Sequence, residues 1–204
     1  MKVLLTIGFL QLLAVISPGP SFLITARAAV ANSRWQGVQV ALGVGAGTVI
    51  WASAAVLGLH VLFEKFPALF FVMKLSGALF LLWIAFQIFR HAAEPLAIGN
   101  AGVEAGRNPF WQGFFTQISN PKVVVFFGSI FIALLPHDVP LWMSLSLIAI
   151  VSFNEVWWYS AVSAFFGTPA VRRFYMAAKS WIDRVTGLFL GGLGLKLLWG
   201  AWEA

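Results

Sequence analysis

The sequence predicts an all-α integral membrane protein of six transmembrane helices, built as two inverted three-helix repeats with helices one and four broken. Three observations lead there. The 204 residues are 60% hydrophobic and 10% charged, against about 25% charge in soluble domains. Six apolar stretches lie near or above the ~20 residues a helix needs to cross a bilayer. Proline motifs interrupt two of these stretches at corresponding places. They are Ser17-Pro18-Gly19-Pro20 in the first and Ser119-Asn120-Pro121-Lys122 in the fourth, 102 residues later.

Helix one is expected over Val3–Ala26. Lys2, the run Val3–Ile16 and Ala29-Val30-Ala31 superficially resemble a signal peptide. The apolar character resumes after Gly19, so the segment reads as a retained helix. Proline removes a backbone donor and clashes with the preceding turn, costing roughly 3 kcal/mol in an ordinary helix. In hydrocarbon such a break persists where protein or a water-filled cavity satisfies the freed groups. Helix two, Val38–Phe63, carries Gly43 and Gly47, with Ala41 and Gly45 at the same spacing. Helix three, Phe66–Phe89, ends at Arg90. The polar stretch Arg90–Asn108, with Glu94-Pro95, Gly99, Gly102 and Gly106, reads as a flexible linker.

Helix four, Phe110–Leu135, holds the second break, and helix five, Leu141–Phe166, holds Asn154 and Glu155. Helix six is expected over Val185–Gly200, after a segment (Arg172, Arg173, Lys179, Asp183, Arg184) that reads as a solvated loop. The whole chain, 1–204, is thus expected to be one membrane domain with short tails. It divides into a repeat over 1–90, a cytoplasmic linker over 91–109 and a second repeat over 110–204. A β-barrel is excluded, because its strands alternate in polarity over about ten residues and these runs are apolar on every face.

Eight lysines and arginines fall in the loops after helices one, three and five, and only Lys2 and Lys65 on the other side. The positive-inside rule then places both termini away from the cytoplasm. The net charge of +6 is this topological signal, with attraction to anionic membrane lipid, and calls for no nucleic acid. Cysteine is absent, which rules out disulfides and Cys-based metal sites. Trp35, Trp111, Trp142, Trp181, Trp199 and Trp202 fall near helix ends, as interfacial rings do; Trp51, Trp83, Trp157 and Trp158 fall deeper.

Ile16-Ser17 matches Ile118-Ser119, and Lys74-Leu75-Ser76-Gly77 matches Arg184-Val185-Thr186-Gly187. Three spans per half force the halves into opposite orientations, the arrangement of an inverted-repeat transporter. The small-xxx-small patterns Gly43/Gly47 and Gly187/Gly191 suit close helix packing, within the chain or across a homodimer.

Paired helix breaks in two halves point to a transporter's binding site. Half-helix N-termini offer N–H groups and a positive dipole end, and C-terminal ends offer carbonyls. The expected substrate site is therefore Ser17, Pro18, Gly19, Pro20 and Ser21 against Ser119, Asn120, Pro121 and Lys122. The competing account is a pair of capped kinks without a ligand. Lys122, charged and inside a span, either faces a cavity or partner or snorkels to headgroups.

Glu155 is read as the only acidic residue deep in a span. It is the candidate for proton coupling or for accepting a substrate ammonium group, and a Lys122–Glu155 ion pair could exchange partners during transport. The competing account is a purely structural pair. Asn154 and Trp158 share a face of helix five one turn apart. Thr48 and Trp51 are candidates for the pocket wall. His60, His91 and His137 lie near helix ends without metal-ligand spacing. No phosphate loop or nucleophile elbow occurs, so transport must be secondary and no cofactor is expected. An intramembrane enzyme using Glu155 and His137 is disfavoured by their separation of most of a helix length. A purely structural subunit would not call for paired breaks.

Ser17-Pro18-Gly19-Pro20, Gly37, the Gly43–Gly47 stretch and Asn120-Pro121-Lys122 with Phe126-Phe127 resemble the lysine exporter family. Trp51, Gly58-Leu59-His60, Phe127-Gly128-Ser129 and Trp181-Ile182-Asp183 ahead of Gly187 are similar to its homoserine/threonine resistance (RhtB-type) branch, threonine-efflux members above all. The resemblance covers nearly the whole chain. It implies a multi-pass exporter of threonine, homoserine or homoserine lactone in the bacterial inner membrane, driven by proton antiport. Many members carry an acidic residue just after the second glycine of helix two. Thr48 stands there in this chain, so no carboxylate role is carried over to that position.

Overall fold

The computed structural model describes residues 2–65, 67–94, 108–136 and 139–202. Most of the expected linker and His137 lie outside the described residues, as do the side chains of His60, Lys65, Lys74, Pro121 and Trp202. Among the described residues every regular element is a helix. In chain order they are α1 (Lys2–Ile16), α2 (Pro20–Ala31), α3 (Arg34–Lys65) and α4 (Pro67–Arg90), then α5 (Pro109–Ile118), α6 (Pro121–Leu134), α7 (Leu141–Phe165) and α8 (Pro169–Trp202).

Both expected breaks are present, and local chemistry makes them. Pro20 and Pro121 each occupy the start of a helix, where the missing N–H costs nothing because it would have no intrahelical acceptor. α2 leaves the line of α1 by 54°. Asn120 caps α6, its side-chain oxygen accepting from the Lys122 N–H at 3.1 Å, and Asn108 caps α5 in the same way at 2.9 Å. By length and apolarity, Arg34–Gly58 within α3 and Leu141–Phe165 suffice to cross a bilayer, and the bent α1–α2 pair makes a third candidate. The other expected spans fall on α4, on the α5–α6 pair and on the second half of α8.

α8 corrects the sequence reading. It begins at Pro169 rather than Val185, so the charged segment is helix and not loop. Lys179 and Asp183 sit one turn apart, joined by a 3.1 Å ion pair, and both are buried. The ammonium also donates to the carbonyls of His91 and Ala92 just after α4. An i,i+4 pair with those partners can be buried where isolated charges could not.

α3 packs against α5 and α7, and α4 against α8. Glycines set these distances. A Cβ on Gly43 would strike the Phe110 carbonyl, and one on Gly113 the Val40 carbonyl, so α3 and α5 meet backbone to backbone. Gly187 and Gly194 lie against the Ala85 and Ala78 carbonyls of α4. The small-xxx-small patterns are thus used within the chain. Gly113→Ala is expected to lower stability by about 3 kcal/mol, the upper range for overpacking. Gly128→Ala, where a Cβ meets nothing within 4 Å, should be neutral or better. Equal thermal midpoints for the two variants in detergent would discard the close-packing account.

Two apolar clusters flank the breaks. One gathers Ile7, Leu81, Phe127, Phe131 and Leu147; the other gathers Phe22, Val44, Val162 and Tyr175, with Phe22 stacked on Tyr175 at 4.8 Å. Large apolar side chains also cover the outside. Leu5, Leu141, Phe174, Trp181 and Trp199 are all exposed, as a lipid-facing surface requires. Trp83 and Trp157, expected deeper, are exposed as well.

Candidate functional site

The first break leaves the end of α1 with carbonyls that no intrahelical N–H can reach. Side chains from elsewhere take them. The Tyr175 hydroxyl donates to the Ile16 carbonyl at 2.8 Å and the Lys122 ammonium to that of Ser17 at 3.0 Å, while Thr186 adds a second donor, at 3.3 Å, to the Leu13 carbonyl that already accepts from the Ser17 N–H. Lys122 therefore ties the second break to the first. Asn120 adds a second tie, donating from Nδ2 to the Ser21 hydroxyl at 3.0 Å.

From Ser21 a buried polar chain runs inward. Ser21 donates to Gln117 Oε1 at 2.6 Å. The Gln117 amide donates to Thr48 Oγ1 at 2.7 Å and to Glu155 Oε1 at 3.1 Å. Gln11, from α1, donates to the same carboxylate oxygen at 3.3 Å and to the Val151 carbonyl at 3.2 Å. It accepts in turn from Asn154 Nδ2 at 2.8 Å. Glu155 is thus held by both halves of the chain through Oε1, whereas its Oε2 is buried without a hydrogen-bond partner. An ionisable group so placed is costly, which makes Glu155 the candidate functional carboxylate.

Beside it lies a cavity of about 30 Å³ whose wall includes Gln11, Ser17, Gly19, Asn120, Lys122 and Glu155. That is room for on the order of one or two waters. The expected ion pair is not formed. Lys122 spends its ammonium on the Ser17 carbonyl, and Glu155 binds amides, while both face the cavity. One cation, one carboxylate and several amide and hydroxyl groups around a small space can complement a zwitterion.

Of the residues expected from sequence, Ser17, Gly19, Asn120, Lys122 and Glu155 come together on the cavity. Ser21 and Asn154 stand one hydrogen bond behind it, and Thr48 two, through Gln117. Pro18 and Pro20 shape the break, and Pro20 is exposed. Ser119 is also exposed, at the end of α5. Trp51 and Trp158 pack on the two apolar clusters away from the cavity wall. Their indole N–H groups are buried without partners.

Gln11 and Gln117 were not singled out from sequence, nor was Asp183 given a role. The signal was an amide amid apolar residues in each of two spans. Asp183 is a second buried carboxylate, accepting from the Ser17 hydroxyl at 2.8 Å. Among the described residues no three His, Asp or Glu side chains converge as a metal site would need.

Known proteins share this sequence along most of its length. The chain is 31% identical to the threonine efflux protein of Salmonella typhimurium strain LT2, over 97% of this chain and 98% of that protein. The threonine efflux protein of Escherichia coli K12 is also 31% identical, over 95% and 96%. A leucine efflux protein of an Enterobacter species is 26% identical over 58% of this chain and 56% of that one. No solved structure matches significantly. The family model for LysE type translocators matches residues 12–200, and the chain belongs to that family.

Proposed function

We propose that the protein exports small neutral amino acids (threonine, homoserine or homoserine lactone) across the bacterial inner membrane in exchange for protons. The observation that carries this reading is the meeting of Lys122 and Glu155, a carboxylate with one unpartnered oxygen, at one cavity between two broken helices. Substrate carboxylate would meet the Lys122 ammonium. Substrate ammonium and the exported-for proton would take turns on Glu155. Turn-taking on one carboxylate is what couples opposite fluxes.

The helix order and contacts support a six-span inverted repeat, and the excess of Lys and Arg in the loops after helices one, three and five supports termini outside the cytoplasm. The order broken pair, long helix, long helix occurs twice. α3 contacts α5 and α6 as α7 contacts α1 and α2, and α4 pairs with its counterpart α8. A two-fold relation between halves produces such reciprocal pairs, and two interchangeable packings are what alternating access needs. The cavity must widen to admit an amino acid, so the closed arrangement corresponds to an occluded stage of that cycle. A cation already on the cavity wall favours neutral over basic side chains.

The direct test is transport by the purified protein in liposomes under an imposed pH gradient, with labelled threonine and lysine offered in parallel. Threonine is expected to move at least about tenfold faster than lysine, the discrimination that 1.4 kcal/mol supplies. Lysine moving as fast would reassign the protein to basic substrates. Movement of neither would discard the substrate assignment.

A further inference from the structure

We propose that Lys179 and Asp183 are a positioning pair that locks the linker side of the cavity, and that they must part for substrate to enter from that side. The lock presupposes the alternating-access cycle proposed above and adds to it a gate outside the binding site.

The placement of four α8 side chains carries it. Tyr175, Lys179, Asp183 and Thr186 follow one another at spacings of four, four and three residues, so they share a helix face. Each holds a group at the end of α1 or just after α4. Tyr175 holds the Ile16 carbonyl, Thr186 the Leu13 carbonyl, Asp183 the Ser17 hydroxyl, and Lys179 the His91 and Ala92 carbonyls. Ser17 is itself on the cavity wall. The ion pair therefore stands between the cavity and the start of the linker, with one member gripping each.

Shape alone does not call for these groups. Apolar residues of similar volume commonly replace a buried ion pair without loss of stability. Charge-assisted hydrogen bonds lose their strength steeply with distance and angle. A small sliding of α8 past the first break would thus release its three contacts there together, the charge-assisted bond between Asp183 and Ser17 among them. That gives the gate two states rather than a continuum.

The chain has no cysteine, so Val15→Cys puts a single thiol on the cavity wall. A membrane-impermeant maleimide applied from the linker side then reads the gate without substrate or gradient. In the background of Lys179→Met with Asp183→Leu, labelling is expected to be at least about tenfold faster, with the thermal midpoint kept within a few degrees. An unchanged labelling rate in folded protein overturns the gate and leaves the pair structural. Should that combination not assemble, Asp183→Asn keeps an acceptor for Ser17, removes the charge and faces the same two outcomes. Faster labelling in a protein that moves no threonine would keep the gate and discard only the substrate reading.

Discussion

Glu155→Gln is expected to abolish gradient-driven export, to about 1% of the parent rate or less, at the low end of what removing an essential proton-transfer group costs. The protein should still fold. A glutamine oxygen can keep the place of Oε1, accepting from Gln11 and Gln117. Its amide nitrogen then points where the unpartnered Oε2 points now. Removing the ionisable group also removes the cost of keeping one in a low-dielectric interior, so the thermal midpoint should hold or rise. The loss should be specific to coupling. Exchange of labelled for unlabelled threonine without a pH gradient needs no net proton movement and should survive in part. Gradient-dependent export at the parent rate would sink the coupling role. Loss of exchange and export together would make Glu155 a substrate ligand first.

The parts of this site that sequence made legible are those where one residue type leaves little choice. Proline cannot continue a ladder of helix hydrogen bonds, so the breaks at Pro18–Pro20 and Pro121 could be placed to the residue. Glu155 stood out because a carboxylate within an apolar run has few reasons to be there. Gln11 and Gln117 escaped notice because a neutral amide barely lowers the hydropathy of a span. Their importance comes from meeting on one carboxylate from opposite halves, which is a fact of packing. Lys179 and Asp183 were misread for the opposite reason. Dense charge resembles a loop when composition alone is weighed. The spacing of Tyr175, Lys179, Asp183 and Thr186 along one helix face was present in the sequence all the while. What it could not supply was the far side of each bond: the Leu13 and Ile16 carbonyls and the Ser17 hydroxyl at the end of α1, and the His91 and Ala92 carbonyls just after α4.

Lys122→Met tests the other end of the substrate. The ammonium lies 3.0 Å from the Ser17 carbonyl and on the wall of the cavity it shares with Glu155. Methionine keeps much of the stem and loses the charge. Two consequences follow, and they differ in kind. The Ser17 carbonyl loses a donor, worth about 1–3 kcal/mol when buried, which lowers stability whatever is bound. A substrate carboxylate loses a charge-assisted bond of about 1.5–3 kcal/mol, which should weaken threonine binding by roughly ten- to a hundredfold. Only the second depends on the substrate having a carboxylate. Affinities for threonine and for 1-amino-2-propanol, the same molecule without that group, therefore separate them. The parent should favour threonine, and the variant should lose most of that preference. If Lys122→Met instead weakened both ligands equally, its place would be that of a brace between the two broken helices. The carboxylate would then find its donors elsewhere on the cavity wall, because Asn120 already takes the Lys122, Val123 and Val124 N–H groups at the start of α6.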